Sequence, residues 1–159
     1  MTLKPSWVTS ANAANHPFPL NNLPYGVFSN SGSGPRCGVA IGDMILDLRG
    51  VEAAGLITVA KTPVFDQPTW NAFMALGRDV WGNLRATLTD MLADGSDAQT
   101  ALEPHLVASA DAQLYMPVHV PEYTDFYAGR NHAFNVGTMF RGPENALPPN
   151  WLHLSLIHI

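Results

Sequence analysis

Cysteine occurs once in these 159 residues, at Cys37, so no disulfide can close within the chain, and a lone thiol fits a reducing compartment. Charge is scarce too: Asp, Glu, Lys and Arg make up 13 % of the residues, about half the usual share of a soluble domain. The net charge of −5 leaves no basic patch for phosphates, which excludes a nucleic-acid partner. No apolar run reaches the roughly 18 residues that a membrane span needs. The polar stretch at residues 9–16 has none of the apolar centre of a secretory signal. Internal repeats and low-complexity tracts are also missing. The expectation from these absences is a soluble, cytoplasmic protein with no membrane partner.

In their place stands apolar surface, 47 % of residues, which argues for much burial, including surface meant for further chain or a partner. Gly and Pro, 13 each, punctuate the first third. Residues 5–24 read as an extended, irregular entry. Residues 25–29 form a strand candidate, residues 30–35 (NSGSGP) a flexible turn, and residues 37–41 and 44–48 two strands joined by a hairpin at Gly42-Asp43. A short helix is expected at 49–56, stopped at Gly55. At 68–92, Trp70, Phe73, Met74, Gly77, Val80, Trp81, Leu84, Leu88, Met91 and Leu92 recur at spacings of three and four, which predicts one long helix. Thr69 or Asp66 would cap it, Pro68 suits its first turn, and Gly95 follows its end. Core packing accounts for this stripe without any cofactor. Residues 94–113 are small and polar, with Leu102, Leu106 and Val107 as core contacts. The apolar run at 114–120 (LYMPVHV) then marks the passage from an N-terminal domain to the start of another.

The chemistry-bearing residues gather at 123–141, YTDFYAGRNHAFNVGTMFR. Asp125 and Tyr127, two residues apart, leave the same face of an extended segment. Gly129 ends that segment, and His132, Val136 and Phe140 follow at helical spacing, an inward-pointing face with His132 in the first turn. Arg141 lies at the far end, roughly 14 Å on at 1.5 Å per residue. A carboxylate offers a hard oxygen to Ca²⁺ or Mg²⁺, a neutral imidazole can take a proton from water, and tyrosine and arginine can hold a carboxylate substrate. Such a set suits metal-assisted hydrolysis at a carbonyl. Each residue also has a plain structural use: His132 as a packing residue, Asp125 as a turn cap, Arg141 as a cation at a helix C-terminus. One aspartate is far short of the six or more oxygens that Ca²⁺ takes.

The segment at 123–151, YTDFYAGRNHAFNVGTMFRGPENALPPNW, closely resembles the fumarylacetoacetase family. So do NLPYGVF at 22–28, GVAIGDMILDL at 38–48 and VFDQPTWNAFMALG at 64–77, so that the likeness runs over 18–154 in the family's order. The resemblance implies a mixed, β-dominated fold. It would comprise an SH3-like small barrel with one long helix over residues 1–117, then the first strand and helix of a β-rich catalytic domain at 118–154. It implies hydrolysis of the carbon–carbon bond of a β-diketone, 4-fumarylacetoacetate, to fumarate and acetoacetate, in the last step of tyrosine catabolism. The aspartate of the TDFY motif, a calcium ligand in the family, falls on Asp125, and the substrate-binding tyrosine on Tyr127. The general base falls on His132 and the substrate-contacting arginine on Arg141. Ca²⁺ and Mg²⁺ are the implied cofactors, a small-molecule substrate and a second copy the implied partners. The likeness stops at Leu154, and the last five residues, SLIHI, read as a foreign tail. With the remaining ligands and the partner of His132 absent, the chain by itself is expected to be inactive. The alternatives are a superfamily hydrolase or isomerase acting on another oxo acid and, in a different class, a non-catalytic interaction module.

Overall fold

The computed structural model describes residues 3–123 and 128–153. It divides into two compact units, Met1–His119 and Val120–Ile159. The expectations placed on Asp125, on Tyr127 and on the 155–159 tail lie outside the described residues.

The first unit is built on an antiparallel sheet of β1 (Tyr25–Asn30), β2 (Ser33–Ile41), β3 (Met44–Asp47), β4 (Leu106–Ala108) and β5 (Gln113–Tyr115), in the order β4-β3-β2-β1-β5. The hairpin at Gly42-Asp43 pairs Ile41 with Met44 and Ala40 with Ile45. Period-two alternation sends Val27, Cys37, Val39 and Leu46 into one core. On the opposite face Phe28 pairs with Arg36. Arg36 is 3 % exposed, and its guanidinium carbon lies 4.2 Å from the Phe28 ring centre. Its Nε donates to Asp47 at 2.5 Å and its Nη2 to Asn30 at 2.9 Å. Asp47 also caps α1 (Leu48–Ala53) by accepting from the Gly50 N–H.

The edge strands β4 and β5 do not pair with each other, so the mixed, β-dominated fold is present as an open sheet, without the closure that a barrel needs. Strand β2 starts at Ser33, inside the stretch expected to be a turn, because the reversal needs little more than Ser31-Gly32. Strand β4 was not expected. Its three residues sit in a polar stretch and are held by pairing with β3 rather than by a pattern of their own.

The expected long helix is two helices. α2 (Asn71–Met74) and α3 (Arg78–Met91) are separated at Gly77, whose φ of +87° is a conformation that glycine adopts without penalty. The apolar stripe is therefore split. Trp70, Phe73, Leu84, Leu88 and Leu92 are buried, whereas Met74 and Trp81, at 50 % and 37 % exposure, lie outside the core. Neither Thr69 nor Asp66 caps a helix; the N-cap of α2 is Trp70, which makes no side-chain capping bond. A fourth short helix, α4 (Gln99–Leu102), buries Leu102.

Aromatic rings close the core. Tyr25 stacks on Trp70 with centroids 4.5 Å apart, and Phe65 and Phe73 meet Trp70 at 5.5 and 5.4 Å. The Trp70 indole donates to the Gly26 carbonyl at 2.8 Å. The entry segment is tied to the end of α3, where Ser6 Oγ donates to the Leu92 carbonyl and the Trp7 indole to that of Met91. Among the described residues no helix is long and apolar enough to cross a membrane.

Candidate functional site

Of the four expected site residues, His132 and Arg141 lie in the described part, both on α5 (Arg130–Arg141) of the second unit. Gly129 is the N-cap, and its carbonyl accepts from the Ala133 N–H at 2.8 Å. Gly142 ends the helix, its N–H bonded to the Thr138 carbonyl at 3.0 Å, and a 3₁₀ turn at Pro143–Asn145 reverses the chain.

The inward face of α5 is not the expected one. Ala133 and Gly137 are buried, whereas His132 is exposed and Met139 and Phe140 are 80 % and 78 % exposed. The stripe that packs is Ala133, Gly137 and Arg141, one residue round from His132, Val136 and Phe140. The reason is steric. The return segment lays Ala146, 1 % exposed, so close to Gly137 that a Cβ there would sit 1.9 Å from the Ala146 carbonyl oxygen. Only small residues permit that approach, and the larger ones turn away from it. Glycine inside a helix costs about 1 kcal/mol against alanine. Gly137, four residues after Ala133, was therefore the available sign of this contact.

Arg141 closes the same stripe. Its Nε donates to the Asn145 carbonyl at 3.2 Å and its Nη2 to that of Ala146 at 3.0 Å, so the guanidinium holds the return turn. Nine residues separate it from His132. At 3.6 residues per turn that is about two and a half turns, which places the two on opposite sides of the helix. Among the described residues no three His, Cys, Asp or Glu side chains converge on one point. They do not, by themselves, make a cage for Ca²⁺, which takes six to eight oxygens. What the described part of the site presents is an outward imidazole in the first turn of α5, beside an exposed apolar strip.

Comparison with known proteins decides the family. A family model described as "Fumarylacetoacetase N-terminal" matches residues 21–117. The fumarylacetoacetase of Bos taurus is 48 % identical over 150 residues, taking in 89 % of this chain and 36 % of the relative. Those of Rattus norvegicus and Homo sapiens are 47 % and 46 % identical over the same share of each chain.

The chain belongs to the fumarylacetoacetase family.

It spans about a third of the length of these relatives. Within the family match lie the sheet, α2, α3 and the Tyr25–Trp70 stack, while α5 lies beyond residue 117.

Proposed function

We propose that the chain is the N-terminal part of an enzyme that hydrolyses 4-fumarylacetoacetate to fumarate and acetoacetate, the last step of tyrosine catabolism. The observation that supports this most is its identity of 46–48 % to fumarylacetoacetases over 89 % of its length.

In this reading His132 is the general base. An imidazole nitrogen takes a proton from water, and the oxygen adds to the ketone carbon on the fumaryl side. The bond to the neighbouring methylene carbon then breaks, and that carbon takes up a proton as acetoacetate leaves. The exposed position of His132 supports the role, because a base must reach a substrate that comes from outside the helix. Tyr127 and Arg141 bind the substrate's carboxylate ends, for which Arg141 gives up its bonds to the return turn. Asp125 contributes one oxygen to a Ca²⁺ or Mg²⁺ site whose other ligands come from further chain. The protein works as a cytoplasmic homodimer. Residues 1–117 serve as its N-terminal domain and 118–154 as the start of its catalytic domain.

The test is turnover by two purified polypeptides, this chain and one extended to the relatives' length. Loss of fumarylacetoacetate absorbance is expected from the longer protein and not from the 159-residue chain. A longer protein that leaves this substrate untouched but turns over another oxo acid would overturn the substrate assignment.

A further inference from the structure

We infer that the outward side of α5 around Met139 and Phe140 is a docking face. Its occupant is the chain that a full-length relative carries beyond the span matched here. The inference rests on the reading of this chain as the N-terminal part of such an enzyme. Size is inverted along α5: Ala133 and Gly137 are buried, while Met139 and Phe140 are 80 % and 78 % exposed and Val136 is half-buried. A helix with apolar residues on every side is one that other elements cover on every side. The contrast is α3, which buries Leu84 and Leu88 and, Trp81 apart, turns residues such as Arg78, Asp79, Asn83, Thr87 and Asp90 to solvent.

Among the described residues of the second unit, Ala133, Gly137 and Ala146 are the buried ones, so no side chain larger than a methyl group makes a core there. So short a unit needs a disulfide, a metal or a partner surface to hold together. It has no cysteine, and Met139 and Phe140 offer the surface on which a partner would seat. A second copy is the lesser candidate. Met139 and Phe140 from two copies, at about 200 Å² a side chain, bury about 800 Å², short of the roughly 1,200 Å² at which stable interfaces begin. The longer chain is ample, because the matched span is 36 % of the Bos taurus relative and most of such a protein lies outside it.

Docking there also closes on the side of the helix that carries His132. Met139 follows His132 by seven residues, two turns less about 20°, so the two share a side about 10 Å apart along the axis. Chain seated on Met139 and Phe140 therefore arrives beside the imidazole.

The experiment is peroxide oxidation of Met139, read by peptide mass spectrometry, in the 159-residue chain and in the polypeptide extended to the relatives' length. In the short chain Met139 should oxidise at close to the rate of free methionine. In the extended polypeptide it should react at least about tenfold more slowly, whatever the protein concentration. Met139→Gln should speed amide exchange across α5 roughly ten- to a hundredfold in the extended polypeptide, the worth of one buried Met side chain. In the short chain the same substitution should leave exchange within about twofold. An open Met139 in the extended polypeptide, or an equal effect of Met139→Gln in both polypeptides, would overturn the inference. So would protection in the short chain that grows with concentration, which would assign the face to a second copy. An extended polypeptide that protects Met139 yet leaves fumarylacetoacetate untouched would overturn the reading of the enzyme and keep the docking face.

Discussion

Gly82→Ala and Gly137→Ala add the same methyl group inside two helices, and their effects should have opposite signs. Replacing a helix-interior glycine gains about 0.5–1 kcal/mol from backbone entropy and propensity. At position 82, on the exposed side of α3, nothing lies within 4 Å of the added Cβ, so that gain stands alone. It should raise the melting temperature of the first unit by roughly 2–6 °C. At position 137 the Cβ would lie 1.9 Å from the Ala146 carbonyl oxygen, 2.7 Å from its carbon and 2.9 Å from Arg141 Nη2. The obstacle is backbone, and it must retreat by about 1 Å to reach even the 3.0 Å below which real Cβ contacts are essentially never seen. Retreat re-exposes the Ala146 methyl, worth about 0.8 kcal/mol. It also stretches the two Arg141 bonds, worth together about 1 kcal/mol at this exposed site. Overpacking a filled contact costs about 1–3 kcal/mol. Set against the propensity gain, the net loss is about 1–2 kcal/mol. Amide exchange across α5 should then be about 5–30 times faster, while thermal unfolding of Gly82→Ala moves upward. If Gly137→Ala is as well tolerated as Gly82→Ala, the packing of α5 through Ala133 and Gly137 is wrong.

Three other substitutions probe the first unit. Asp47→Ala removes both the partner of the buried Arg36 guanidinium and the cap of α1; a loss of about 3–5 kcal/mol in urea unfolding is expected, and less than about 1 would deny the pair any weight. Glu52 accepts from the Val64 and Phe65 N–H groups at 2.9–3.2 Å, so Glu52→Ala should cost about 1.5–3 kcal/mol, and an unchanged midpoint would contradict that. Burial, with smaller contributions from Glu52, Asp47 and Asp66, pushes the Cys37 thiol from 9.0 up to about 12. Because the unfolded chain releases this proton first, stability should fall as pH rises between those values. Unfolding followed from pH 8 to 11 should lose part of that slope in Cys37→Ala, and an identical slope in both proteins would refute the attribution.

Much of the first unit was legible because its signals are local. The run from Cys37 through Gly42-Asp43 to Leu46 alternates with period two around a turn dipeptide, and β2 and β3 follow it closely. Structure departs from the sequence pattern where local signal and tertiary context diverge. The 68–92 stripe keeps helical spacing across Gly77, so periodicity alone cannot reveal that the backbone there takes a positive φ and starts a second helix. Strand β4 is fixed by the β3 edge and has no alternation to betray it. In α5 the spacing points the larger apolar residues inward, yet the contact that forms is set by how closely Ala146 approaches Gly137. The proposed site residues rest on a motif and not on geometry, since Asp125 and Tyr127 fall outside the described residues and Arg141 is engaged with its own return turn.

The measurement that tests the central claim most directly is turnover of fumarylacetoacetate by His132→Ala in the polypeptide extended to the relatives' length. Loss of a general base should lower kcat by about 10²–10⁴-fold. The far-ultraviolet spectrum and melting temperature should be unchanged, because His132 is exposed and outside the stripe that packs α5. A variant that keeps kcat within a few-fold of its parent would contradict the assignment of the 123–141 segment as the base-bearing edge of a hydrolytic site.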